Sequence, residues 1–226
     1  MSRTFLCIIS LIYTTLAAST TQIAPDALAS RYALPTSTTL PFPTATLSSD
    51  DTASLLVSRW SLGKGQIQDG PQNLAFVKDP FPNSPPSGAQ GVSSSPSGPV
   101  LRVTYPEGSF SHDTGGAQFY SLWNTTDGSS FRTMMVSYEL AFDSNFDWVK
   151  GGKLPGLRGG LNSTGCSGGN QADGLSCFST RLMWRKEGAG EGMNANPHFE
   201  LVLKSSVSLR LHSHSKRPLF PNVRHM

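Results

Sequence analysis

The residues best suited to chemistry lie in one stretch, FSTRLMWRKEGAGE, from Phe178 to Glu191. Read as a β-strand, its side chains alternate between an apolar face and a polar face, the polar one carrying Ser179, Arg181, Met183 and Arg185. Two guanidinium groups and a hydroxyl on one face of a sheet are costly unless they meet an anion. The pattern therefore predicts binding of an anionic group, with a solvated cationic face and Ser179 as a small filler as the alternative.

A second stretch, FDWVKGGKLPGLRGG, from Phe146 to Gly160, adds further cations ahead of the first. Its paired glycines and Pro155 allow tight backbone turns. We therefore expect Lys153 at a strand or loop edge, where its ammonium group can reach a cleft, with Lys150 nearby.

The positive charge of the chain is local. The net charge is +3 over 226 residues, but residues 150–186 hold six basic residues against one acid. A local basic patch is often a nucleic-acid site, yet an exported chain rarely meets nucleic acid. We therefore expect no nucleic-acid partner and an acidic extracellular polymer instead.

The N-terminus predicts export. Arg3 precedes an apolar run from Phe5 to Leu16, which small residues follow; this is the layout of a signal peptide, assigned here to residues 1–19. The run is too short to span a bilayer comfortably, so we expect a secreted, extracellular protein that is not in the membrane. The sequons at Asn124 and Asn162 predict glycosylation in a eukaryotic host.

The cysteines predict one disulfide bond. Cys7 leaves with the signal, so that Cys166 and Cys177 remain, at the two ends of a Gly-rich loop. Exported proteins meet an oxidising environment, in which such a pair bonds. Two thiols with no nearby histidine do not predict a zinc site, and we expect no metal.

The remaining pattern predicts an all-β fold. Short alternating segments such as VLRVTY and TMMVSYELAF are joined by Gly/Pro-rich turns, and no convincing helical repeat follows the signal. This favours an antiparallel β-jelly roll or sandwich. Residues 20–50 are interpreted as a disordered Ser/Thr/Pro-rich linker, residues 51–191 as the β-domain, and residues 79–99 as a long surface loop. We expect a monomer.

The two stretches and the Gly-rich loop between them resemble the secreted fungal branch of polysaccharide lyase family 14, from about Trp60 to Glu191. The resemblance implies a β-jelly roll that cleaves a polyuronate, alginate or glucuronan, by β-elimination without a cofactor. Lys153, Ser179 and Arg181 fall on the family's active-site lysine, serine and arginine. Arg185 and Lys150 are expected to bind substrate.

The role of Lys153 has two possible forms. Nearby cations depress a lysine pKa, which would let Lys153 act as a base; otherwise it is an electrostatic clamp. Ser179 has no His–Asp partner in the sequence that would mark it as a nucleophile.

The resemblance ends after Glu191. The family pattern expects tyrosines at the positions of Met193 and Ala195, and neither of these side chains transfers a proton. The alternatives, Tyr105, Tyr120, Tyr138 and His112, are not placed beside Arg181 by any pattern. Residues 192–226 are therefore interpreted as an atypical tail, caused by a retained intron or a frameshift, or by divergence, with the β-domain incomplete.

The tail itself carries a net charge of +4 and a weak histidine pattern. His212 and His214 alternate as a potential metal pair, which by itself is weak evidence. The function predicted from the whole chain is a polyuronate lyase-like protein with impaired activity. The alternative is a non-catalytic binder of acidic polysaccharide, and a structural wall protein is a third interpretation.

Overall fold

The computed structural model describes residues 25–80, 82, 98–124, 131, 133–138, 140–143, 145–162, 166, 170, 175–194, 210–214 and 223–225. From residue 191 onward only the backbone is described. The predicted signal peptide and most of the predicted loop at 79–99 lie outside these residues.

Strands dominate the described residues and form three sheets. The bounds of the strands, in chain order, are β1 Thr36–Thr39, β2 Leu74–Val77, β3 Val100–Val103, β4 Ser121–Trp123, β5 Thr133–Ser137, β6 Gly152–Gly159, β7 Phe178–Trp184, β8 Gly190–Asn194, β9 Arg210–His214 and β10 Val223–His225. The strand orders are β1-β9-β5, β4-β10-β6-β7-β8 and β2-β3. Every described strand pairing is antiparallel, so the predicted antiparallel all-β class is confirmed.

In the part of the chain that the structure describes, three α-helices accompany the sheets: α1 Pro25–Arg31, α2 Ser49–Arg59 and the single turn α3 Ser111–Thr114. The sequence reading found no helix, and α2 corrects it. Ser48 caps α2 by accepting a hydrogen bond from the backbone N–H of Asp51 at 3.2 Å. Its apolar stripe is short, but the Ser-x-x-Asp spacing at its start is a capping signal that could have revealed it.

The main described core lies between α2 and the β2–β3 sheet. Its buried members are Leu56, Trp60, Leu62, Leu74 and Phe76. Residues from the predicted linker pack against it: Leu40 adjoins the cluster, Phe42 contacts the Trp60 and Phe76 rings, and the Trp60 indole N–H donates to Pro41 O at 2.8 Å. The described part of that segment is therefore ordered, because its apolar residues have a core to cover.

Two of the described strands lie wholly in the predicted tail, where the sequence predicts no recognisable jelly-roll strand. β9 lies between β1 and β5, and β10 lies between β4 and β6. Both are interior strands of their sheets. Among the residues that the structure describes, no helix is long and apolar enough to cross a membrane.

Candidate active site

The candidate site lies on one face of the β6–β7 strand pair. Arg158 lies opposite Ser179, and Gly156 lies opposite Arg181. Directly opposed residues of an antiparallel pair project to the same side, so these four positions share a face. The alternation predicted for β7 is the one observed, with Trp184 and Thr180 on the reverse side.

A register shift brings Lys153 onto this face. The pairing changes between Lys153 and Gly156, and Lys153 lies opposite Met183. Pro155 falls inside the irregularity, where its missing N–H removes a ladder hydrogen bond. Lys153 is the second residue of β6 and is exposed, and its reach into a cleft stays a prediction.

Ser179 and Arg181 lie at different depths on the site face. Ser179 is buried, with 6% of its surface exposed, whereas Arg181 is partly exposed. The hydroxyl of Ser179 and Nε of Arg181 are both buried without a hydrogen-bond partner. Within the described part of the chain, no carboxylate pairs with Arg181, so the face presents unused hydrogen-bond donors.

Arg158 belongs to the same face and was missed as a site residue by the sequence reading. It is 4% exposed. Its Nη1 donates to the Tyr120 hydroxyl at 3.3 Å, and its guanidinium carbon lies 5.4 Å from the centre of the Tyr120 ring. Buried arginines are rare, and nothing in the residues around Arg158 predicts its burial. Its position two residues from Gly156 in β6 is the signal that could have found it.

Tyr120 is held in place by the segment that follows α2. Its carbonyl oxygen accepts a hydrogen bond from the Gly63 N–H at 2.7 Å, and the Ser121 hydroxyl donates to Trp60 O. Leu122 N–H donates to Ser61 O at 2.9 Å. The main core therefore fixes the backbone that carries Tyr120, and through it the position of Arg158.

The cations of the site perturb one another. Lys153 is exposed as a residue, but partial desolvation of its ammonium group lowers its pKa, and the positive charge of Arg181 lowers it further. Burial also lowers the pKa of Arg181, an effect that Tyr120 opposes and Arg158 reinforces. Each shift disfavours the charged form. A neutral amine at Lys153 is therefore more accessible than at an ordinary surface lysine.

The reverse side of the strand pair is aromatic. The Trp184 ring packs against Tyr105, Phe142 and Phe146 at centroid distances of 5.1, 5.6 and 5.9 Å. Tyr105 therefore lies on the side away from Arg181, whereas Tyr120 lies on the site side.

Lys150 and Arg185 lie beyond the ends of β6 and β7. Lys150 is exposed, and a Cβ added at the adjacent Gly151 would lie 3.2 Å from Nη1 of Arg185. The two predicted substrate-binding residues are therefore near one end of the strand pair. Their participation in binding stays a prediction.

The loop between β6 and β7 carries the predicted disulfide. Cys166 and Cys177 are bonded, with their Cα atoms 5.8 Å apart. This prediction is confirmed, and the bond closes the loop directly before β7. Asn124 and Asn162 are both exposed, as glycosylation requires.

No group of three or more His, Cys, Asp or Glu suited to a metal ion occurs among the described residues. The side chains of His212 and His214 lie outside what is described.

Comparison with known proteins identifies the family. The model of polysaccharide lyase 14 matches residues 93–207, just over half of the chain. The chain belongs to the polysaccharide lyase 14 family. Among solved structures it is similar to the marine PL-14 alginate lyase from Aplysia kurodai, with 29% identity, coverage of 82% of this chain and 69% of that chain, and a TM-score of 0.47. No curated protein matched.

The polysaccharide lyase 14 match continues past Glu191, where the sequence reading ended the resemblance. The break predicted at that residue is therefore too early. The position of Met193 is now also defined: it lies opposite Arg181 in the β7–β8 pair. Met193 thus occupies a site-face position in this member of the polysaccharide lyase 14 family, while Ala195 lies outside the described residues.

Proposed function

We propose that the chain is a secreted polyuronate lyase that cleaves the 4-O-glycosidic bond of alginate or glucuronan by β-elimination. The observation that carries the proposal is the shared face of Lys153, Ser179 and Arg181, with buried donors that have no partner. A surplus of cationic donors suits an anionic sugar polymer. Family membership supports a polysaccharide as the substrate.

The proposed reaction uses these charges in a definite order. Arg181 binds the uronate carboxylate and stabilises the negative charge that develops as the C5 proton leaves. The electron pair of the C5–H bond forms the C4–C5 double bond, the C4–O4 bond breaks, and O4 takes a proton. Lys153, with its lowered pKa, is the base that takes the C5 proton or the cation that holds the substrate in place.

A substitution of Lys153 separates its possible role as the base from its possible role as an electrostatic clamp. The variant Lys153→Arg keeps the positive charge but cannot lose its proton at ordinary pH. Loss of cleavage in this variant assigns the base role to Lys153, and retained cleavage assigns the clamp role.

We further propose that the reaction is slow in this chain. Met193 lies opposite Arg181, where the family pattern expects a tyrosine. A positioned proton donor or acceptor contributes about 10²–10⁴-fold to rate. The missing group therefore lowers turnover without removing the cations that bind substrate.

The test is prolonged incubation of the secreted chain with alginate and with glucuronan. Unsaturated sugar ends are detected by their ultraviolet absorbance, and Arg181→Ala is the variant expected to lose them. The matched control is Arg102→Ala, which removes an exposed arginine of β3 in another sheet. Absence of product from every polyuronate would refute the lyase assignment.

Non-catalytic binding of acidic polysaccharide is the second candidate, favoured by Met193. Charge-driven binding weakens with salt, because exposed charges are screened over about 10 Å at 0.1 M. Retention on an alginate column that falls with salt and with Arg181→Ala, without product, supports this candidate. Retention that is unaffected by salt and by Arg181→Ala contradicts the binding candidate.

Export and glycosylation are part of the proposal. The disulfide and the exposed sequon asparagines support passage through an oxidising compartment. Recovery of the chain from the culture medium, with a mass that falls after glycosidase treatment, tests both.

A further inference from the structure

Arg158 is the buried cation of the site that has too few partners. It is 4% exposed, and the one hydrogen bond of its side chain to a described residue goes to the Tyr120 hydroxyl. Its Nε and Nη2 are buried with no partner. Among the described residues no carboxylate forms an ion pair with it. A buried guanidinium in this condition is expensive for the fold.

The neighbours of Arg158 on the site face also lack hydrogen-bond partners. The hydroxyl of the opposed Ser179 and Nε of Arg181 are also buried without partners. A guanidinium group has no acceptor atom, so Arg158 and Arg181 cannot satisfy each other. What the three groups lack in common is an acceptor with several lone pairs, and a carboxylate supplies it.

We propose that Arg158, Arg181 and Ser179 together bind one carboxylate of the sugar chain, with Arg158 as the inner guanidinium and Tyr120 holding it in position. This inference rests on the proposed polyuronate substrate and names the residues that distinguish a uronate from a neutral sugar. Arg181, the more exposed of the two arginines, meets the carboxylate first. Nε and Nη2 of Arg158 are buried. The carboxylate therefore reaches them only after neighbouring side chains change rotamer, as is common at binding sites.

The variant Arg158→Met tests the inference through binding, independently of turnover. It replaces the guanidinium by an unbranched apolar side chain that fills much of the same space. The probes are β-1,4-linked trimers of glucuronate and of mannuronate, with the neutral cellotriose and mannotriose as matched ligands. Calorimetry gives the affinities, and thermal unfolding gives the midpoint temperature with and without sugar.

The unmodified chain is expected to bind a uronate trimer at least tenfold more tightly than its neutral counterpart. Arg158→Met is expected to lose at least that factor for the uronate only. Its midpoint temperature without sugar is expected to stay the same or rise, since an uncompensated buried charge has been removed. Arg102→Met, which removes an exposed arginine of the other sheet, is expected to keep the full affinity.

A second variant tests the part that Tyr120 plays in holding Arg158. Tyr120→Phe leaves the charge of Arg158 in place but removes its hydroxyl partner, so an intermediate loss of uronate affinity is expected. The inference is overturned if Arg158→Met binds uronate like the unmodified chain, if its affinity loss appears only with a lowered midpoint temperature, or if the unmodified chain binds no uronate.

The outcomes also separate this inference from the proposed function. Uronate binding that depends on Arg158, without cleavage of any polyuronate, supports the carboxylate site and refutes the lyase. Cleavage with an unchanged KM in Arg158→Met supports the lyase and overturns the carboxylate site.

Discussion

Lys153 lies opposite Met183, and this pairing puts it on the same face as Arg181. An unbroken register through Gly156 and Arg181 would instead set Lys153 opposite Trp184, on the aromatic side. The irregularity around Pro155 therefore decides whether the ammonium group faces the cations or the rings. A one-residue slip reverses the side of every residue beyond it.

The activity of this chain should depend on pH through Lys153. Its pKa is lowered by burial and by the charge of Arg181, so if Lys153 is the base, kcat/KM rises with pH as the amine loses its proton. Arg181→Gln removes the second cause, so the pKa of Lys153 itself, followed by NMR titration of its side chain, should rise. Lys78→Met removes an exposed lysine beside β2, in another sheet; it is the control and should leave both the pKa of Lys153 and the pH profile of cleavage in place. A value of kcat/KM that falls as the Lys153 amine loses its proton would identify Lys153 as a clamp.

Gly156→Ala should destabilise the strand pair. A Cβ at this position would collide with the backbone oxygen of Thr180, and backbone cannot move aside as a side chain does. We expect a loss of about 1–3 kcal/mol in the free energy of unfolding, measured by urea denaturation. Gly190→Ala is the matched control in the same sheet, because nothing lies within 4 Å of its added Cβ. Equal stability of the two variants would show that the backbones of β6 and β7 do not approach this closely at Gly156 and Thr180.

Replacing both Cys166 and Cys177 by serine should lower stability by about 2–3 kcal/mol, because the open loop gains conformational entropy in the unfolded chain. The comparison is urea unfolding of the two proteins under non-reducing conditions. Reductant should lower the stability of the unmodified chain and leave the double variant unchanged. Two reactive thiols at these positions in the unreduced protein would contradict the bond.

Tyr120→Phe should cost about 1–3 kcal/mol of stability, since it leaves the buried guanidinium of Arg158 without its hydroxyl partner. Tyr105→Phe is the control, because Tyr105 packs through its ring against Phe146 and Trp184. In the double variant Tyr120→Phe/Arg158→Met the cost should shrink. Additive effects of the two substitutions would show that they do not interact.

Met193→Tyr should accelerate cleavage. The substitution places a phenol at the position opposite Arg181, and a positioned proton-transfer group is worth about 10²–10⁴-fold. Met193→Phe supplies the same ring without the hydroxyl and should leave the slow rate unchanged. The rates are compared from the ultraviolet signal of unsaturated ends. A phenylalanine variant as fast as the tyrosine variant would remove the proton-transfer explanation.

The alternating face of β7 was predictable because the strand period of two depends on local geometry alone. The side on which Lys153 lies was not, since one irregularity at Pro155 inverts it. Arg158 was missed for a different reason: its burial depends on Tyr120, which lies 38 residues earlier in the chain. Contacts of that range leave no periodic signal in the sequence.

The helix α2 and the tail strands β9 and β10 also show which features local sequence predicts and which depend on tertiary contacts. Only Thr52 and Leu56 of α2 are buried, so its apolar stripe is too thin to recognise, although its cap is readable. β9 and β10 are short and polar, and become strands because partners on both sides supply their hydrogen bonds. Tertiary context thus overrides weak local propensity at these places.

The position of β10 sets an order of assembly. Among the described strands, β4 and β6 do not pair with each other, and they meet through Val223–His225. The sheet that carries the site therefore cannot close until these late-synthesised residues have left the ribosome and been threaded between strands made long before. Contacts so distant in sequence slow folding. Until then, the open edges of β4 and β6 would be the surfaces that a chaperone has to cover.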